Sequence, residues 1–219
     1  MKLNNTGYVK IKKKIEYLYN LKEIIFHMRS EHTFDSQNAD FEMQLVHEKD
    51  QNYLLTKNIL IDSDSFNQIL VISTLFRATA KVNNTFIQNL NFKNRVLLNP
   101  LSLNAFVQNI SYFYYTGSFT TPGCEENVDW VVNMNFGFMT PAQLMDIAYF
   151  INYIFIEGNN RKVQPLNGRT IYVSTKKFEG FNQLPLPIVC RSISSDKSMI
   201  RIALNISLTI LLITLIIIM

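Results

Sequence analysis

The run E-I-I-F-H-M-R-S-E-H-T-F-D-S-Q-N-A-D-F-E-M-Q-L-V-H, residues 23 to 47, concentrates the chemistry of this chain. All three histidines of the protein, His27, His32 and His47, lie in it, together with Glu31 and Glu42. Two apolar stretches, Glu23 to Met28 and Phe41 to His47, flank a polar turn, which is the pattern of two strands joined by a loop. Side chains alternate along a strand, so Glu23, Ile25 and His27 share one face, and Glu42 and Gln44 share one face of the second strand. A metal cage on such a pair takes two ligands at i and i+2 on the first strand and one on the second. Those three places hold Ile25, His27 and Gln44.

The rest of the chain sets bounds on what that stretch can do. With 219 residues, 47% of them hydrophobic, the chain suffices for one domain with a core of ordinary size. The net charge is +4, but the lysines are dispersed apart from Lys10, Lys12, Lys13 and Lys14. That run reads as a solvated face, and no nucleic-acid partner is expected. Two cysteines, Cys124 and Cys190, are too few for a disulfide framework, and no Cys/His cluster marks a structural zinc site; they are free thiols or one pair.

F-H-M-R-S-E-H-T-F-D followed by E-M-Q-L-V-H resembles the metal-site strands of the α-carbonic anhydrases. That family carries His-x-His on the first strand and Glu-x-His-x-x-His on the next. The resemblance puts the first zinc histidine at Ile25, the second at His27 and the third at Gln44, so His27 is the sole surviving ligand position. It implies that Glu31 is the buried glutamate orienting a catalytic threonine, and that Glu42 stands behind the third ligand. His32 and His47 match structural histidines, to which no chemistry is assigned.

A second block, S-Y-F-Y-Y-T-G-S-F-T-T-P-G-C-E-E-N-V-D-W-V-V from Ser111, is similar to the family's aromatic strand, its G-S-x-T-T-P turn and its V-x-W strand. It implies that Thr120 is the catalytic threonine, paired with Glu31 as a remnant orienting couple. The implied substrate pocket is Val46, Val71, Phe119, Thr121, Val128 and Trp130. Tyr8, in N-N-T-G-Y, stands where the family keeps a proton-shuttling histidine, and a phenol does not shuttle protons at neutral pH. The cysteine after T-T-P pairs in secreted members with one near the N-terminus; Cys124 sits there, and Cys190 is the remaining candidate partner.

Residues 50 to 67 read as a polar loop, the apolar run from Ile69 as a strand buried on both faces, and Asn83 to Phe92 as a short helix. Thr140-Pro141-Ala142-Gln143 opens a helix through Ile151. N-N-R-K-V-Q-P-L-N-G-R-T-I from Asn159 is similar to the family's closing segment.

The resemblance implies an α+β fold, predominantly β: a large, twisted, mostly antiparallel sheet with short surface helices, to which the apolar tail adds a C-terminal hydrophobic helix. Residues 1–175 form the carbonic-anhydrase-like domain, 176–199 a polar linker and 200–219 the anchor. What the family places before Tyr8 is missing, which implies a shortened product or an unread first exon. From Ile202 to Met219 only Asn205, Ser207, Thr209 and Thr214 are polar, and at about 1.5 Å per residue such a run crosses a bilayer core. It is a tail anchor in an internal membrane, or a glycolipid-anchor signal that places the protein at the cell surface.

Two functions follow. In the first, a membrane-attached domain without CO2 hydration acts in binding or as a structural subunit, holds no cofactor and meets a protein partner. In the second, a working zinc lyase converts CO2 to bicarbonate with an altered metal site. Zinc belongs to the second alone.

Overall fold

The computed structural model describes residues 8–12, 16–56, 67–94, 97–99, 101–107, 110–154, 159–174, 186–188, 202–204 and 213–215. In chain order its strands are β1 (Tyr8–Lys12), β2 (Glu16–Met28), β3 (Thr33–Phe34), β4 (Gln37–Asn38), β5 (Phe41–Lys49), β6 (Ile69–Ala78), β7 (Tyr112–Ser118), β8 (Glu126–Asn133), β9 (Gly137–Met139), β10 (Ile171–Ser174), β11 (Leu186–Ile188), β12 (Ile202–Leu204) and β13 (Ile213–Leu215). The helices are α1 (Gln51–Thr56), α2 (Thr85–Leu90), α3 (Asn104–Val107) and α4 (Pro141–Ile154). The main sheet runs β1-β2-β5-β6-β8-β7-β10-β11, with β9 also on β6. β6 pairs in parallel with β8 and β9, and every other pairing is antiparallel.

The central strands are buried on both sides, so their two faces have different composition rather than different exposure. One face carries Phe41, Met43 and Leu45 of β5 with Leu70, Ile72 and Phe76 of β6, packed under α2 and α4 through Phe86, Leu90, Ile147 and Phe150. The other carries Glu42, Gln44 and Val46 of β5 with Val71 and Ser73 of β6.

β2 reaches this arrangement through a bulge. Its pairing with β5 shifts between Leu21 and Glu23, so Leu21 faces His47 while Glu23 faces Val46. Tyr17, Tyr19 and Leu21 point to the apolar face before the bulge, and Ile24 and Phe26 after it. One extra residue, Lys22, inverts the alternation. Ile25 and His27 are thereby turned to the polar side.

The helices start where their caps allow. Asn84 Oδ1 accepts from Ile87 N at 3.1 Å, and Thr140 Oγ1 accepts from Gln143 N at 3.2 Å ahead of Pro141. Gln143 returns a side-chain oxygen to Thr140 N at 3.1 Å, the reciprocal bond the T-P-A-Q spacing foretells. At Gly137 a Cβ would lie 2.4 Å from the Phe76 ring, so β9 can lie along β6 only with glycine there.

Residues 51–56 are helical where a loop was expected, because Asp50 Oδ1 accepts from Tyr53 N at 3.0 Å and caps the turn. Within the expected linker, Leu186–Ile188 adds an edge strand on β10, and the other residues of 176–199 lie outside the described set. The expected C-terminal helix also lies outside it: of residues 200–219 the described ones are Ile202–Leu204 and Ile213–Leu215, an antiparallel pair. Among the described residues no helix is long and apolar enough to cross a membrane.

Candidate functional site

Glu42 organises the polar face. Fully buried at mid-sheet, it accepts at Oε2 from the backbone N–H of Glu31 (2.8 Å) and of His32 (2.9 Å). At Oε1 it accepts from His32 Nδ1 (2.7 Å), Ser73 Oγ (2.7 Å) and Gln44 Nε2 (3.0 Å). A carboxylate alone among side chains accepts this many bonds while donating none. Glu42 therefore draws the 29–40 excursion back over β5. The excursion closes on itself through Arg29 N to Asp40 O and Ser30 N to Ala39 O, both 3.0 Å.

Charge is shared across this contact. Burial opposes a charge on His32, yet the Glu42 carboxylate at 2.7 Å holds its pKa above the ordinary value. Burial pushes Glu42 up, but His32 and the donors around it outweigh that and hold it well below the usual carboxylate range. A protonated His32 donates from both nitrogens, the second to Tyr115 Oη at 2.7 Å. Tyr115 in turn stacks on Trp130, rings 6.1 Å apart and 6° from parallel.

The three cage positions do come together. Ile25 sits directly across from Gln44, and His27 is two residues along the same face, opposite Glu42. His27 is fully buried, and its Nδ1 donates to the Asn159 carbonyl at 2.6 Å. Asn159 also accepts from Met28 N at 2.8 Å, so the closing segment locks the imidazole from behind. His27 Nε2 then points at Glu31 Oε2, 3.4 Å away, and has no hydrogen-bond partner. Gln44 Nε2 donates to Glu31 Oε2 at 2.9 Å as well as to Glu42. Because both neighbours are carboxylates, the amide nitrogen rather than its oxygen must face them.

Glu31 and Thr120 do not join. Glu31 Oε1 accepts from Arg161 N at 2.7 Å and Oε2 from Gln44, and no hydrogen bond runs from Thr120 to either oxygen. Val46, Val71, Val128 and Trp130 pack with Ile25 as one apolar cluster against which Phe119 lies, and Thr121 is buried beside the turn. Tyr8 opens β1 at 62% exposure. Cys124 makes no disulfide among the described residues, and Cys190 lies outside them.

Asn159 and Ser73 were not singled out, although each bonds a residue that was. Asn159 is the one with a mark in the sequence, since it opens the N-N-R run that resembles the closing segment.

A model of the eukaryotic-type carbonic anhydrase family matches residues 1–175. The chain belongs to that family. Dioscorin DB3L of Dioscorea polystachya is 32% identical over 160 residues, spanning 70% of this chain and 54% of that protein. A carbonic anhydrase of Nostoc sp. is 31% identical over 154 residues, 70% of this chain and 53% of that one. The chain thus spans about half the length of the curated relatives it matches. A crystal structure of dioscorin complexed with ascorbate superposes with TM-score 0.55 at 28% identity, covering 76% of this chain and 65% of that one.

Carbonic anhydrases of this family use zinc, and catalytic zinc needs three donor atoms converging with a fourth position open. Here one place offers hydrocarbon, one an amide whose nitrogen serves two carboxylates, and one the single imidazole nitrogen of His27. Among the described residues no three His, Cys, Asp or Glu side chains are placed to hold a metal ion. This donor set does not fit the family's zinc.

Proposed function

We propose that this chain is a carbonic-anhydrase-family domain whose zinc centre has become a hydrogen-bonded core, without CO2 hydration, and that it serves as a binding or structural component. The observation that carries the reading is the Gln44 amide, which at the third ligand position donates to both Glu31 and Glu42. Zinc makes hydroxide available at neutral pH by lowering the pKa of its water to about 7; without it the site holds ordinary water, a far weaker nucleophile. The dioscorin–ascorbate complex supports a binding role, since a relative of similar fold holds a small molecule. Residues 200–219 would attach the protein to a membrane, because Ile202 to Met219 is almost wholly apolar.

One observation favours the alternative of an active enzyme with an altered metal site. His27 Nε2 is buried and unpartnered, as a ligand awaiting a cation would be. Zinc content of the purified protein, measured beside its hydration rate, separates the two. The expected result is substoichiometric zinc and a rate at the zinc-free background; stoichiometric zinc with a higher rate establishes the alternative. The double variant Ile25→His, Gln44→His should regain zinc, because Ile25 and Gln44 face each other beside His27.

A further inference from the structure

A cavity of about 530 Å³ has Glu31 and Thr120 in its lining. Its walls are the Thr33–Ser36 turn, β7 and residues 161–171. Neither Ile25, His27 nor Gln44 lines it. The volume is that of an ordinary small-molecule site.

The lining divides by chemistry. Phe34, Phe113, Tyr115 and Leu166 supply an apolar wall, and Arg161 and Arg169 supply charge. Each guanidinium is held along one edge by backbone oxygens: Arg161 Nη1 donates to Phe119 O at 3.1 Å, and Arg169 donates to Leu166 O at 3.0 Å and Pro165 O at 3.1 Å. Neither has a carboxylate within ion-pair distance among the described residues. Of the acids lining the cavity, Glu31 is buried and takes its bonds from Arg161 N and Gln44 rather than from either guanidinium, and Asp35 is exposed on the turn. Two guanidiniums fixed by backbone oxygens, neither in an ion pair, stand beside an aromatic wall, and the nitrogens those oxygens leave free suit the charge of a carboxylate.

We propose that this cavity binds a small organic anion, a carboxylate on an aromatic or aliphatic body, with Arg161 and Arg169 pairing its charge. The proposal names a ligand class for the binding role above and rests on that reading. It does not depend on the cage residues, so zinc measurements and ligand measurements fail separately.

The test titrates the full chain in detergent with benzoate and hexanoate, and with their neutral twins benzamide and hexanamide. The readout is fluorescence of Trp130, the single tryptophan, on which cavity-lining Tyr115 stacks. Saturable binding is expected, with each carboxylate at least about tenfold tighter than its amide, as a charge-assisted pair implies. Arg161→Gln should diminish that preference. Equal affinity for acid and amide, no saturable response, or an undiminished preference in Arg161→Gln would overturn it. The acid-to-amide ratio in the unaltered chain decides the matter if the variant fails to fold.

Discussion

The two faces of the central sheet are built from the same strands and are equally dry, yet they are held by different forces. On one face Phe41, Met43, Leu45, Leu70 and Ile72 belong to one apolar cluster, and each is at most 1% exposed. On the other, equally buried from solvent, Glu42, Gln44, Ser73 and Glu31 are joined by hydrogen bonds that close on one another. Hydrocarbon tolerates loss in proportion to the volume removed. A closed polar network does not, because one missing acceptor strands several buried donors.

Deleting Lys22 should have the largest effect on this contrast. It would send either Tyr17, Tyr19 and Leu21 or Ile24 and Phe26 to the wrong face, and cooperative unfolding should vanish from urea titrations followed by near-ultraviolet circular dichroism. Glu42→Ala comes next. It orphans donors from Glu31, His32, Gln44 and Ser73, and should cost roughly 3–5 kcal/mol in the same titration. Leu45→Ala on the apolar face should cost about 2–5 kcal/mol, set by how far its neighbours collapse into the gap. A Glu42 variant much milder than the Leu45 one would break the comparison.

Acid should separate the faces again. His47, buried on the Leu45 side of β5, has its pKa pushed down to about 4 by burial. Between about pH 6.5 and pH 4 the unfolded chain holds a proton on His47 that the folded chain refuses, so stability falls as pH falls through that window, by on the order of 3 kcal/mol. His47→Gln should flatten that part of a stability–pH curve. Glu42, depressed in the fold, adds further loss below the ordinary carboxylate range, and His32, raised, contributes most in acid and loses its contribution as pH climbs above 6.5. The smallest effect is expected of Thr120→Val. The Thr120 hydroxyl makes no hydrogen bond to Glu31, so the change should stay within about 0.5 kcal/mol, and a larger loss would restore the orienting couple.

Much of this was legible in the chain itself. Alternation from Ile24 to His27 and from Phe41 to His47 announced two strands, and their register brought Ile25, His27 and Gln44 together as the spacing required. The bulge had its mark too, since the apolar parity changes between Leu21 and Ile24, but a strand taken to begin at Glu23 passes it by. The Glu31–Thr120 couple was expected from two motifs far apart. It is not formed: the donors to Glu31 are Gln44, from the first motif itself, and Arg161 N, from the closing segment.

Local order thus came from the sequence: which segments are strands, which side chains share a face, and that the imidazole set at the cage is reduced to His27. Tertiary structure decided the partners of those side chains. His27 donates its hydrogen bond to the Asn159 carbonyl, 132 residues away, and the arginine-lined cavity is assembled from the 29–40 excursion, β7 and the closing segment. Periodicity reports which side a residue faces over a few neighbours, whereas a bond between distant segments depends on the path of everything between them.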